Sequence, residues 1–283
     1  MDNFKHMYIM KPAALSCGKG IKVISQKQEV KKKPGYVVSQ YVANPYLING
    51  FKFDLRIYVL VTCFDPLKVY IFKEGLVRFA TQKYTNAASS VNKQYIHLTN
   101  YSVNKKNEEY VKSKGVANKS EDDQELASKW NLAQLKRFFD KQGVDYDAVM
   151  FNIRDVIIKS LISIEPHVYN LSARHTKHKN IYFELFGFDI LLDHKLKPWL
   201  LEVNISPSLS SSSPLDKKIK TVLLCDTLNL AGLHPYDRKA YEKELEQSNK
   251  KRLLQGSAAK ENDEKGLVEL VMKQPQSLLY QVV

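Results

Sequence analysis

The run Lys52-Phe53-Asp54-Leu55-Arg56-Ile57 places three charged groups at alternate positions. Side chains of an extended chain alternate between faces, so Lys52, Asp54 and Arg56 share one face and Phe53, Leu55 and Ile57 the other. The run continues as Tyr58-Val59-Leu60-Val61, apolar on both faces, as a central strand is. The charged face of a central strand lines a cleft, and two cations with a carboxylate suit a nucleotide's phosphates and ribose hydroxyls. A half-exposed strand showing water a charged ladder has the same alternation, and the run alone does not separate the two.

A second group lies near the end of the apolar part of the chain. In Leu200-Leu201-Glu202-Val203-Asn204 the carboxylate and the amide share a strand face, and Asp189 lies on the partner strand in Phe188-Asp189-Ile190. A hairpin brings such groups within a few ångströms. Two carboxylates and an amide oxygen are hard ligands suited to Mg²⁺ with phosphate oxygens. Without a cation the same face opposes like charges among apolar strands. Weaker signals accompany these. Gly18-Lys19-Gly20 is either a phosphate-approaching loop or an ordinary hairpin tip, and Lys11 precedes it on a strand. Gln40-Tyr41-Val42 ends a strand whose backbone can meet an adenine edge. Arg78, between Val77 and Phe79, seeks a carboxylate or phosphate. His97-Leu98-Thr99-Asn100-Tyr101-Ser102 is dense in short hydrogen-bonding groups, which also build Asx and Ser/Thr turns.

The elements that position these groups follow from periodicity. Tyr8 to Lys11 and Ile21 to Ile24 read as a hairpin, with a further strand from Tyr36 to Val42. Phe51 to Cys63, Leu67 to Phe72 and Leu76 to Ala80 read as a three-stranded antiparallel meander, turning at Asp65-Pro66 and Glu74-Gly75. Helices are expected over Ser120 to Gln142, over Tyr146 to Ser163 with an end at Glu165-Pro166, and over Leu215 to Leu230. Phe183 to Leu192 and Pro198 to Asn204 form a second hairpin through Asp193-His194-Lys195. Ser208 to Ser213 is an ordered polar loop or helix cap. Tyr241 to Leu254 is charged on nearly all sides, an exposed helix leading to a loosely held tail. The fold class is α+β, a mainly antiparallel sheet with packed helices.

The 283 residues contain 44% hydrophobic and 26% charged side chains, which excludes collagenous, disulfide-scaffold and wholly disordered classes. No apolar run approaches the ~20 residues of a membrane span, and the start lacks a secretion signal's apolar stretch. Cys17, Cys63 and Cys225 form no CxxC pair and fit a reducing compartment. A net charge of +13 favours an acidic partner, nucleic acid or acidic protein alike, and is also what a solvated lysine-rich surface carries.

Taken in order, Lys11-Pro12 with its downstream glycines, Gln40-Tyr41-Val42, Lys52 to Arg56, His97 to Ser102, Phe186-Gly187-Phe188-Asp189 and Leu201-Glu202-Val203-Asn204 resemble the tubulin tyrosine ligase-like family over Tyr8 to Gly232. Leu55 to Val59, Tyr101 to Asn107 and Ser206-Pro207-Ser208-Leu209-Ser210 resemble its polyglutamylase branch, the type-four enzymes in particular. The resemblance implies an ATP-grasp fold. Residues 1–45 would belong to its central domain, 46–232 to its C-terminal catalytic domain, and 233–283 to a charged helical or disordered tail. Against that fold the chain is expected to be N-terminally truncated. Cys17 stands where the family has arginine, and the loop is one residue longer.

The resemblance also implies roles. Lys11, Cys17, Gly18, Lys19, Gly20, Gln40, Tyr41, Val42, Ala43, Lys52, Phe53, Asp54, Thr99 and Asn100 would form the ATP site, with Asp54 on the ribose and Gln40 to Ala43 on adenine. Asp189, Glu202 and Asn204 would ligate Mg²⁺. Arg56 and Arg78 would be catalytic, facing the reacting carboxyl and the incoming amino acid. His97, Tyr101, Ser102 and Lys220, with Arg78, would bind substrate. The implied reaction joins free L-glutamate to glutamate side chains of tubulin tails through an acyl phosphate. The implied partners are acidic tubulin tails and microtubules, with no nucleic acid or membrane, and the implied state is a monomer. The implied locations are cytoplasm and cytoskeleton, including cilium, flagellum or basal body. Two other readings share these residues: an inactive fragment that binds microtubules or nucleotide, and a ligase of glutamate or glycine onto other acidic proteins.

Overall fold

A computed structural model describes residues 3–13, 15, 18–26, 30, 34–112, 127–175, 182–233, 238–255 and 280–282. Two sheets carry the candidate groups. The smaller has β1 (Asn3–Pro12) between β2 (Lys22–Gln26) and β3 (Tyr36–Gln40), all antiparallel. The larger contains β4 (Leu47–Ile48), β5 (Phe51–Phe64), β6 (Leu67–Phe79), β7 (Lys129–Asn131), β8 (Glu184–Leu192), β9 (Pro198–Ile205) and β10 (Tyr280–Val282). Its main path runs β10-β6-β5-β8-β9, so β5 is central, as its doubly apolar second half requires.

The two faces of β5 bury different cores. Phe53, Leu55, Ile57, Val59 and Val61 pack under α3 (Leu132–Lys141) and α4 (Tyr146–His175), against Leu135, Phe139, Ile153 and Ile157. On the opposite face Tyr58 and Leu60 pack with Phe72 and Leu76 against Leu215, Ile219 and Leu223 of α5 (Pro214–Leu230). That helix covers only the apolar end of its face. Lys52, Asp54 and Arg56 lie beyond its cover, and this leaves a charged cleft.

Several expectations are corrected. Glu74-Gly75 is not a turn, and β6 runs on from Leu67 to Phe79. The pairing of β5 with β6 shifts register between Ile57 and Val59, and Gly75 sits opposite Ile57. A Cβ at Gly75 would lie 2.6 Å from the Arg56 carbonyl oxygen, so the glycine permits a bulge where a turn was expected. Trp130 is strand, not helix: Lys129 and Trp130 pair with Arg78 and Val77. Asn131 then caps α3, accepting from the Gln134 backbone N–H while the Gln134 side chain accepts from its own. The remainder of the helix expected from Ser120 lies largely outside the described residues. Helix α4 passes through Pro166 to His175. Beyond Leu161 it carries mostly exposed residues, so water can meet the carbonyl that proline leaves unpaired. In the tail, α6 (Arg238–Gln255) matches the charged pattern, while Tyr280–Val282 pairs with Tyr70 to Phe72. Two short helices, α1 (Gln94–His97) and α2 (Tyr101–Asn104), lie in the link between β6 and β7. Among the described residues no helix is long and apolar enough to cross a membrane.

Candidate active site

Lys52 lies at the base of the cleft, 6% exposed. Its Nζ donates to the Tyr41 hydroxyl at 2.9 Å and to the His97 carbonyl at 2.9 Å. Tyr41 in turn lies 2.9 Å from His97 Nδ1, while His97 Nε2 lies 3.1 Å from the Ser90 carbonyl. A carbonyl only accepts, so the ring proton sits on Nε2 and Nδ1 accepts from Tyr41. Burial, reinforced by the neighbouring Lys52 charge and opposed by the Ser90 contact, lowers His97 to about 4. Burial also lowers Lys52 to about 7; Asp54 opposes the shift and Lys11 adds to it. Two lysines from different sheets therefore converge, and among the described residues no carboxylate forms an ion pair with either, although Asp54 lies near Lys52 and Glu202 near Lys11. Lys11 reaches across to the Leu201 carbonyl of β9 at 3.2 Å.

Beside this base the strand register assembles an ion network. Asp54 pairs with Arg78 across β5 and β6, Arg56 with Asp189 across β5 and β8, and Asp189 with Glu202 across β8 and β9. Arg78 holds Asp54 through Nε at 2.8 Å and through a terminal nitrogen, and reaches Asp189 at 2.8 Å. Arg56 grips Asp189 with two nitrogens at 2.5 and 3.0 Å. Burial would raise Asp189, but the Arg78 and Arg56 guanidiniums outweigh it and hold the carboxyl well below the usual range. Gly187 makes room for this clamp: a Cβ there would lie 3.1 Å from Arg56 Cδ and 2.8 Å from Pro207.

Glu202 behaves oppositely. Desolvation in the cleft and the adjacent Asp189 carboxylate push it up, against the Asn204 amide that donates to it at 3.3 Å. Two carboxylates in contact, one of them raised, are what a divalent cation would relieve. Asn204 spends its amide nitrogen on Glu202 and the Gly187 carbonyl, which turns no described hydrogen bond onto its oxygen. Glu202, Asn204 and a shared Asp189 therefore fit a hard cation by donor chemistry. Asp189 is already held by both arginines, and among the described residues no cluster of three or more His, Cys, Asp or Glu supplies a richer site.

Residues 1–241 match the profile of the tubulin-tyrosine ligase family. The chain belongs to the tubulin-tyrosine ligase family. Among its relatives it is 48% identical over 228 residues to the tubulin monoglutamylase TTLL4 of Mus musculus, covering 81% of this chain and 19% of that protein. It is 43% identical over 228 residues to the tubulin polyglutamylase TTLL5 of Homo sapiens, covering 80% and 17%. Over 262 residues it is 42% identical to the tubulin polyglutamylase ttll-5 of Caenorhabditis elegans, covering 92% and 35%. The chain thus spans well under half the length of these relatives.

In this family member the expected site residues divide by position. Lys11, Lys52, Asp54, Arg56, Arg78, Asp189, Glu202 and Asn204 come together. Gly18 packs against the Asn100 side chain, which draws the glycine loop toward the Thr99-Asn100 segment. Lys19, Gly20 and Gln40 are exposed, Val42 and Ala43 are half-buried, and Thr99 is buried. Ser102 lies within α2, and Lys220 donates to the Ser210 carbonyl at 2.5 Å. Cys17 lies outside the described residues. One expectation is corrected by geometry. Phe53 is 1% exposed in the core under α3 and α4, because strand alternation turns it away from Lys52 and Asp54. His97 is 2% exposed with both ring nitrogens engaged, so it braces Tyr41 and Lys52 from behind. The Asp54 carboxylate, expected at the ribose, is held bidentately by Arg78 and so anchors that arginine. Sequence reasoning missed Lys129 and Asp216, both buried and paired at 2.9 Å. The available signal was a lysine between Ser128 and Trp130 in a run read as helix.

Proposed function

We propose that this chain is the catalytic part of an ATP-grasp ligase, dependent on ATP and Mg²⁺. It joins free L-glutamate to glutamate side chains of acidic tubulin tails. One observation carries the reading: Asp54, Arg78, Asp189 and Arg56 interlock beside Lys11 and Lys52, which form no ion pair among the described residues. An anion is the missing partner of Lys11 and Lys52, and a triphosphate supplies it. The names and identities of the relatives support glutamate as the amino acid and tubulin as the acceptor. Residues 1–45 and 46–232 would be the two walls around the nucleotide, with 233–283 as an appended tail. The substrate tails belong to microtubules, so cytoplasm, cytoskeleton and ciliary or basal-body microtubules are the expected locations. A single copy carries all these groups, consistent with a monomer.

A carboxylate does not acylate an amine at neutral pH, because its oxygen leaves poorly. Transfer of the ATP γ-phosphoryl to the acceptor carboxyl makes an acyl phosphate, and the glutamate α-amine then displaces phosphate to leave an amide. Lys11 and Lys52 would hold the phosphates, and Arg56, fixed by Asp189, would meet charge developing on the carboxyl. Arg78 would orient Arg56 through their shared Asp189. Bound Mg²⁺, held by Glu202, Asn204 and Asp189, would neutralise phosphate charge. Holding both reactants in one cleft converts a bimolecular step into an effectively intramolecular one.

The test is incubation with ATP, Mg²⁺, labelled glutamate and tubulin. Incorporation is expected, and Glu202→Gln should abolish it while thermal unfolding is unchanged. Nucleotide binding without incorporation would favour a binding module, and incorporation of glycine or labelling of another acidic protein would redirect the specificity.

A further inference from the structure

Asn104 belongs to none of the groups assigned above, yet it is 1% exposed and its whole amide is engaged. Its oxygen accepts from the Thr81 backbone N–H at 3.0 Å and from the Thr81 hydroxyl at 2.9 Å. Its nitrogen donates to the Leu98 carbonyl at 2.7 Å and to the Asn100 carbonyl at 3.1 Å. A backbone N–H only donates and a carbonyl only accepts, so these partners fix which way the amide points. Asn107 supports the arrangement by donating to the Thr81 hydroxyl at 2.8 Å.

The two ends of this bracket meet the cleft at different places. On one side the Ala80 N–H donates to the Lys52 carbonyl at 2.9 Å, so Thr81 leaves the large sheet beside the buried lysine. On the other, the held backbone is residues 98–100. It follows His97, whose carbonyl receives Lys52 Nζ. It ends at Asn100, whose side chain does not cap α2 and packs on Gly18, in the loop between β1 and β2. Gly18 has a φ of +74°, and a Cβ there would lie 2.9 Å from Asn100 Oδ1 and 3.1 Å from Val103 Cγ2. Four hydrogen bonds from one side chain, shared between Thr81 and the backbone of residues 98–100, specify a single arrangement of the two. Loop closure alone does not explain why the segment so held touches Lys52 at one end and the glycine loop at the other.

We infer that Asn104 is a positioning residue: it fixes Leu98, Thr99 and Asn100 so that the glycine loop and Lys52 stand at a set spacing across the nucleotide's phosphates. The inference rests on the ligase reading given above. In that reading adenine lies at Gln40 to Ala43, and Lys52 touches Tyr41 there. Asn100 lies at the opposite end of the held segment, against the glycine loop, and so meets the terminal phosphate. The bracket therefore matters more for a nucleoside triphosphate than for a diphosphate.

Asn104→Asp keeps the shape of the side chain and both contacts from Thr81, but it loses both donors and sets a carboxylate against two carbonyls. Calorimetry on the full chain, with Mg²⁺ and either ADP or a non-hydrolysable ATP analogue, reads the effect. The Kd of the ATP analogue should rise about tenfold or more and that of ADP about threefold or less, so the preference for the triphosphate shrinks. Thr81→Val removes one donor to the bracket and should shift the same ratio by a smaller factor. Thr81→Ser keeps that donor and should leave both affinities at the wild-type value. Equal weakening of the two nucleotides in Asn104→Asp, or a lowered melting temperature with both affinities unchanged, would reduce Asn104 to a structural role and overturn the inference. Should Asn104→Asp fail to fold, Thr81→Val decides the matter, and an unchanged ratio there overturns it. If the wild-type chain binds the analogue but incorporates no glutamate, the ligase reading fails, and the ratio still judges Asn104. A wild-type chain that binds neither nucleotide overturns both.

Discussion

Lys52 combines two demands that conflict in the cleft: it must be buried to meet a phosphate without water, and it must be charged to hold one. Burial wins, and its pKa falls from 10.5 to about 7. Between those values the unfolded chain binds the proton more often than the folded one. The contribution of this group to stability therefore rises with pH from about 7 toward 10.5 and is unfavourable below. A bound polyanion reverses the balance by favouring the ammonium. Nucleotide binding at about pH 8 should take up a proton, and affinity should fall as the pH is raised from there. Calorimetry in two buffers of different ionisation enthalpy measures the uptake; identical heats in both would remove Lys52 from the phosphate site. Gly187 offers an independent test of the arginine clamp. Gly187→Ala should destabilise by about 1–3 kcal/mol through overpacking, since the new methyl meets Pro207 and the Arg56 stem. It should also lower turnover roughly tenfold or more by displacing Arg56 from Asp189. Full turnover in a variant that melts lower would show that the Arg56 position is not critical. Arg78, held by Asp54 and Asp189 together, is less suited to truncation, because alanine there would leave the buried Asp54 without its cation and Asp189 with Arg56 alone.

At the scale of elements, the cleft exists because α5 is shorter than the strand it covers. Leu223 of α5 is fully buried among Tyr58, Leu60 and Phe72, on the same β5 face that carries the charged groups farther along. Leu223→Ala should cost about 2–5 kcal/mol. Because Leu223 packs in the apolar cluster at the other end of that face, kcat per folded molecule should stay near wild type. A chemical denaturation curve together with active-site titration checks this, and a large fall in kcat at full folding would mean that the helix transmits strain to the cleft. The same strand shows what a sequence can and cannot disclose. The alternation of Lys52, Asp54 and Arg56 followed by a doubly apolar run was enough to place a charged face on a central strand, because burial on both sides leaves few alternatives. Pairing partners were partly legible too: the short turn after Leu192 returns β9 beside β8 and brings Glu202 opposite Asp189. The bulge at Gly75 was not legible, since glycine after glutamate reads equally as a turn, and only the approach of the Arg56 carbonyl distinguishes them. Nor was the clamp of Asp54 by Arg78, which depends on a register set by that bulge. Lys129 was hidden because a three-residue strand is too short to show its period, and a helix follows it directly.

At the scale of the molecule, the formal charge of +13 outlasts the local pairing of Arg56 and Arg78 with their acids. Lys11, Lys52, Arg56, Arg78, Lys129 and Lys220 outnumber Asp54, Asp189, Glu202 and Asp216 around the cleft, so the local field has the sign of the whole chain. Such a field raises the encounter rate of a polyanion and adds little to the affinity of a small ligand already inside. The two substrates should therefore respond differently to salt. Exposed charges are screened over about 8 Å at physiological ionic strength and about 3 Å at 1 M, while buried groups are screened far less. The KM for an acidic acceptor peptide should climb steeply between low and moderate salt, with the KM for free glutamate changing much less. An acceptor with its acidic residues replaced by glutamine around a single target glutamate should lose most of the salt dependence. Steady-state rates for both acceptors across a salt series decide the matter. Parallel curves would mean that the basic surface is a solvated exterior with no role in drawing the acceptor in, and recognition would then rest on contacts inside the cleft alone.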